Sequence, residues 1–250
     1  MLKLKFVTML AGAMLLCGSA AAADEIKVIA SNGIKAVFND FGPTFERQTG
    51  HRVMGKFGAT NLLAKEIEQG EPVDVAILTP AAAAALMKQG KLVDGSSVTI
   101  ARVGLGVVVK QGAPKPDISS VAAFKDMLVR AKTVSYTTAG QSGLHLQSLL
   151  EKFGIAEAVK AKSKTLPSGD VAEFVARGES EVAIQLVPEV RAVHGTDYVG
   201  PLPAEIQSYI VLSAALGHRA KDNVAARALI QALTSPETIT IIKAKGMEPG

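Results

Sequence analysis

The chain has 250 residues, with 27 lysines and arginines against 23 aspartates and glutamates, one cysteine, no tryptophan and 4% aromatic residues. That length can bury a core without disulfide staples. A single cysteine and four scattered histidines give no zinc-ligand spacing, and no basic run interleaved with aromatics is present to suggest nucleic acid as a partner.

Lys3 and Lys5 form a basic start, residues 6–16 an apolar run, and Ala21-Ala22-Ala23 a small-residue cleavage site. Residues 1–23 therefore read as a secretory signal peptide, which predicts a periplasmic protein. The apolar run is too short to span a bilayer, and Leu16 is larger than the residue lipoprotein modification requires before Cys17. Cleavage removes Cys17, Lys3 and Lys5 and leaves 25 basic against 23 acidic residues. A mildly positive surface of this kind is compatible with an anionic ligand.

Lys27-Val28-Ile29-Ala30 reads as a strand, followed by Ser31-Asn32-Gly33 and then by Ile34, Val37, Phe38, Phe41 and Phe45, the stripe of a buried helix face. Gly58-Ala59-Thr60-Asn61 precedes a helix carrying Leu63, Ala64 and Ile67, and residues 73–78 form the next strand, ending at Thr79-Pro80. Further strands are predicted at 104–109, 133–137, 181–186 and 208–215. Further helices are predicted at 81–89, 121–131, 144–153, 171–176, 223–233 and 237–244, with Lys115-Pro116-Asp117 and Gly200-Pro201-Leu202-Pro203 as irregular connectors. This alternation argues for an α/β fold with mixed, mostly parallel sheets flanked by helices. Long apolar strands near 102–109 and 208–216 suit two crossovers between lobes, one built from 24–102 plus 206–250 and the other from 103–205. Ligands of such sheets sit beyond the carboxyl ends of the strands, here in a cleft between the lobes that hinge motion would close.

Helix starts leave backbone N–H groups unpaired and carry partial positive charge, so small polar residues there suit an anion. Candidate ligand-binding residues on this ground are Ser31, Asn32, Gly33, Thr60 and Asn61, together with Gln141, Ser142 and Gly143 in a glycine-flanked nest. Asn32, Thr60 and Asn61 are also ordinary helix caps, and two glycines can simply make a turn. Ser168 precedes Gly169-Asp170, whose carboxylate would oppose an anion if it faced the cleft. Lys35 sits one turn into the first helix, where it could bring a cation to the cleft rim. Arg102, at the hinge, has the fork that pairs with a carboxylate.

The segments Ile29-Ala30-Ser31-Asn32-Gly33, Phe45-Glu46-Arg47-Gln48-Thr49-Gly50, Leu63-Ala64-Lys65-Glu66-Ile67-Glu68-Gln69-Gly70, Asp74-Val75-Ala76-Ile77, Leu150-Glu151-Lys152-Phe153-Gly154 and Ala244-Lys245-Gly246-Met247 follow one another in order. In that order and spacing the chain resembles the type II periplasmic solute-binding proteins, close to the molybdate-binding family of ABC importers. The resemblance implies a monomer, a small anionic ligand and an ABC-importer membrane complex as partner. Similar molybdate binders use two serines, helix-start amides and a tyrosine. Those positions fall here at Gly33 (beside Ser31 and Asn32), Thr60, Ser142 with the turn at Ser168, and Leu186 beside Gln185.

A serine and a tyrosine hydroxyl are thus missing, and each lost hydrogen bond to a charged group costs about 1.5–3 kcal/mol. The hydroxyls of Thr60, Ser142 and Ser168 with the amides of Asn32, Asn61, Gln141 and Gln185 suit a larger anion bearing several carboxylates. Some exported proteins similar to this family are cofactor-free isomerases that interconvert cis- and trans-aconitate by an allylic proton shift. The expectation is therefore a binding protein for an organic polycarboxylate, with an aconitate isomerase as the alternative; neither needs a metal or cofactor. No serine triad or paired carboxylate marks a catalytic base, and His145, Tyr136 and Lys35 are the candidates.

Overall fold

The computed structural model describes residues 24–250, so the signal-peptide reading of residues 1–23 lies outside the described residues. The strands are β1 (Glu25–Ser31), β2 (Arg52–Gly58), β3 (Val75–Leu78), β4 (Val98–Val103), β5 (Leu105–Lys110), β6 (Val134–Thr137), β7 (Ser163–Leu166), β8 (Val182–Leu186), β9 (Thr196–Pro201), β10 (Ile210–Leu216) and β11 (Glu248–Pro249). The helices are α1 (Lys35–Thr49), α2 (Thr60–Glu68), α3 (Pro80–Lys88), α4 (Val121–Arg130), α5 (Gln141–Phe153), α6 (Ala156–Lys160), α7 (Ala172–Ala176), α8 (Val187–Arg191), α9 (Val224–Leu233) and α10 (Pro236–Ala244). Among the described residues no helix is long and apolar enough to cross a membrane.

The strands form two sheets, ordered β11-β4-β10-β3-β1-β2 and β7-β6-β8-β5-β9. In the first, β1 runs parallel to β2 and β3, and β10 runs against β3 and β4. In the second, β6 runs parallel to β7 and β8, and β5 runs against β8 and β9. The sheets are therefore mixed, with a larger antiparallel share than the strand–helix alternation suggested. Connectivity gives the reason. β5 and β10 enter their sheets from the cleft and run outward, against neighbours whose carboxyl ends point to the cleft.

Burial explains which elements the sequence announced. Val28, Ile29 and Ala30 on β1 and all of β3 are buried, so both read as apolar runs. The α1 stripe packs Phe38, Phe41 and Phe45 into the main core, with successive ring centroids 5.8 and 5.6 Å apart. β2, β7 and β9 lie at or near sheet edges with mostly half-exposed residues, so no apolar signal marks them. The apolar stretch 102–109 divides at Gly104, with the end of β4 before it and β5 after it.

Gly104 is the whole connection from β4 to β5, and it is clamped from the return crossover. The Leu105 N–H donates to Gln207 Oε1 at 2.8 Å, and Gln207 Nε2 donates back to the Leu105 carbonyl at 2.9 Å. A Cβ on residue 104 would lie 3.1 Å from Gln207 Nε2, so a side chain there would push the amide back by a few tenths of an ångström. Gln207→Ala leaves the buried Leu105 N–H without this partner, while the carbonyl keeps the Leu202 N–H at 3.2 Å. The expected loss is about 1–3 kcal/mol, read as a lower urea midpoint with an unchanged denaturant slope.

Candidate functional site

The carboxyl ends of β1, β2, β6 and β8 and the turn after β7 converge between the two sheets. β1 ends in Ser31, whose Oγ accepts the Gly33 N–H at 3.4 Å to open a 3-10 turn into α1. β2 ends at Gly58, and α2 begins at Thr60; β6 ends at Thr137, and α5 begins at Gln141 after Gly140. Gly143 is a packing requirement, because a Cβ there would fall 1.5 Å from the Thr137 carbonyl oxygen. Helix α5 can thus start directly over the end of β6.

Ser31, Asn32, Thr60, Thr137, Gln141, Ser142, Ser168, Gln185 and Glu189 line one cavity with Leu186 and Ile210. The enclosed space is about 20 Å³, room on the order of one water molecule. Contacts across the cleft hold the lobes together. Ser168 Oγ accepts from the Ala59 N–H at 2.9 Å and from Asn32 Nδ2 at 3.3 Å. Gln141 Nε2 donates to Asn61 Oδ1 at 3.1 Å, and Asn61 Nδ2 donates to the Ala139 carbonyl at 3.4 Å.

Several side chains singled out from the sequence lie elsewhere. Arg102 is half exposed, 3.5 Å from Glu248 and over the Tyr209 ring, because strand alternation buries Ala101 and Val103 and turns residue 102 outward. Tyr136 packs into the core with Val134, and the same alternation gives Thr137, which the sequence reading passed over, to the cavity. His145 Nε2 lies 2.8 Å from the Ile206 carbonyl. A carbonyl only accepts, so that nitrogen carries the hydrogen and the ring serves to tie α5 to the crossover. Lys35 pairs with Asp170 at 3.3 Å on the partly exposed rim, where it offsets the carboxylate that would oppose an anion. Asn61 acts in the clasp, and Gly33 and Gly143 provide backbone and close packing rather than lining.

The cavity is polar without being cationic. Its lining holds no lysine, arginine or histidine. Among the described residues Thr60 Oγ1 and Gln185 Oε1 are buried without a partner, while Gln185 Nε2 donates to the Gly169 carbonyl at 2.8 Å. Glu189, also absent from the sequence-based candidates, is buried at 8% exposure on the first turn of α8. Burial, reinforced by the Asp170 charge, pushes its carboxyl up to about 8; the Leu186 backbone, the Gln185 side chain and the Lys35 charge pull less strongly the other way. The acid is therefore largely neutral at neutral pH. Among the described residues, no group of three or more His, Cys, Asp or Glu stands together as a metal cage.

Glu189 also predicts a pH dependence. An unfolded glutamate ionises near 4.5, whereas the folded one holds its proton to about 8. Between those values the folded state binds the extra proton, so its stability falls as pH rises, by roughly 1.4 kcal/mol per unit. Glu189→Gln should flatten that slope in urea denaturation curves taken across the window and should make the protein more stable than wild type at its alkaline end.

Comparison with known proteins follows the same lines. An aconitate isomerase of Pseudomonas sp is 31% identical, over 97% of this chain and 96% of that one. The molybdate-binding protein ModA of Azotobacter vinelandii is 30% identical, over 97% and 96%. The solved structure of the Azotobacter vinelandii periplasmic molybdate-binding protein superposes with a TM-score of 0.75 at 20% identity, covering 89% of this chain and 98% of that one. The sequence profile of bacterial extracellular solute-binding proteins matches residues 26–248, and the chain belongs to that family.

Proposed function

We propose that this protein works in the periplasm as a monomer and binds a small organic polycarboxylate in the cleft between its lobes. The observation that carries this reading is the lining itself: hydroxyls and amides from Ser31, Asn32, Thr60, Gln141 and Ser142, no cation, and one buried carboxyl. Helix-start N–H groups and hydroxyls can hold carboxylates without a full positive charge. A compact oxyanion lacks the carbon frame that spreads several acceptors over these hydroxyls, these amides and the neutral Glu189 O–H. A carboxylate ligand can accept the Glu189 proton in a hydrogen bond. A multi-carbon guest exceeds the space enclosed here, so binding requires the lobes to part and reclose, as hinged binding proteins do.

As a receptor, the protein would present its closed form to an ABC-importer membrane complex. A second reading is favoured by the aconitate isomerase relative, whose named substrate belongs to the same ligand class. In that reading the cleft binds aconitate and also turns it over.

Thermal-shift titration of the mature chain with citrate, tricarballylate, aconitate, molybdate and sulfate separates the ligand classes, because binding to the folded state raises the apparent melting temperature. Stabilisation by a polycarboxylate is the expected result. Stabilisation by molybdate or sulfate alone would overturn the proposal. Thr60→Ala and Ser142→Ala should each weaken polycarboxylate binding by about tenfold to hundredfold in calorimetry.

A further inference from the structure

We infer that Glu189 carries the proton in a cofactor-free allylic isomerisation of an unsaturated polycarboxylate held in this cleft, an inference that rests on the ligand class proposed above. Of the residues lining the cavity, Glu189 is the one whose side chain can exchange a proton near neutral pH. The other candidates are engaged elsewhere: His145 Nε2 on the Ile206 carbonyl, Lys35 on Asp170, and Tyr136 in the core. Gln185 Oε1, the buried acceptor without a donor, belongs to the same lining.

The step balances without a co-reactant. Ionised Glu189 removes a proton from the ligand's methylene carbon; the C–H bond breaks, an O–H bond forms, and the electron pair spreads through the neighbouring double bond into a carboxylate. The new O–H then returns its proton to the far carbon of the allyl unit, and the double bond moves one position. The new double bond takes its geometry from the conformation about the methylene–carbon single bond when the proton leaves, so cis and trans forms interconvert. Protons and electrons are unchanged over the cycle.

Two features of the site serve this chemistry. The buried carboxyl, held up to about 8, is a stronger base than a solvated glutamate and is matched to a reluctant C–H acid. The hydroxyls of Thr60 and Ser142, with the first turns of α2 and α5, supply donors where charge accumulates on the ligand carboxylate. The charged groups around Glu189 are Asp170, Glu173 and Lys35, which share the adjoining cavity behind it.

Glu189 also has a structural use, since glutamate at the third position of a helix can reach back to the N-terminal backbone. Glu189→Gln keeps the shape and that reach while removing the exchangeable acid, which separates the roles. Proton NMR in deuterated water with cis-aconitate follows both interconversion and deuterium uptake into the methylene group, and calorimetry follows binding. The expected result is wild-type turnover, with deuterium uptake to the extent that the Glu189 O–H exchanges with solvent before it returns its proton. The glutamine variant should bind within about tenfold of wild type but lose about 10²–10⁴ in turnover, with partial recovery in Glu189→Asp. Wild-type protein that binds polycarboxylates but neither exchanges nor isomerises them overturns this inference and leaves the receptor reading standing. Failure to bind any polycarboxylate overturns that reading instead. Retained turnover in Glu189→Gln also overturns the inference. If that variant fails to fold or bind, the wild-type pH profile decides: kcat/KM rising as Glu189 ionises supports the role, and a flat profile across that range refutes it.

Discussion

Unpaired N–H groups at a helix start need a partner wherever water is excluded. In this molecule the starts of α2 and α5 face one another from different lobes, because the strands preceding them point their carboxyl ends into one gap. Contacts across the cleft meet part of that need at α2 and tie the two starts to each other. Ser168 takes the Ala59 N–H, Gln141 donates to Asn61, and Asn61 donates to the Ala139 carbonyl. Neutral hydrogen bonds of this kind contribute about 0.5–1.5 kcal/mol each. A handful of them can hold the lobes together yet yield to a ligand that offers stronger, charge-assisted partners.

Charge is distributed with the same economy. The Lys35–Asp170 pair stands on the rim, where solvent screens it, and such exposed pairs add little stability. Inside, hydroxyls, amides and helix-start dipoles face a carboxyl that burial keeps neutral. Such a lining offers a negatively charged guest neutral donors rather than a full positive charge.

Much of this was legible from residue order. Ser31, Thr60 and Ser142 all stand between a strand and a helix, and all three line the cavity. Arg102 and Tyr136 misled because charge and hydroxyl chemistry suggested a ligand, whereas strand alternation sends one outward and the other into the core. β2 and β9 carry no apolar pattern because they lie at sheet edges. Helix α8 was hidden because Leu186-Val187-Pro188 looks like the tail of a strand, although a proline in the first turn suits a helix start. With α8 went Glu189, a charged residue in an apolar run.

The sequence by itself determined the alternation of strands and helices and the small polar residues at their junctions. These depend on periodicity and capping, which act between residues a few positions apart. Only the tertiary structure decided which junctions face each other, that Ser168 would meet an amide 109 residues away, and that Glu189 would be buried beside Gln185. Desolvation and cross-cleft hydrogen bonding arise from what the opposite lobe places against a residue, and no local pattern in the chain records that.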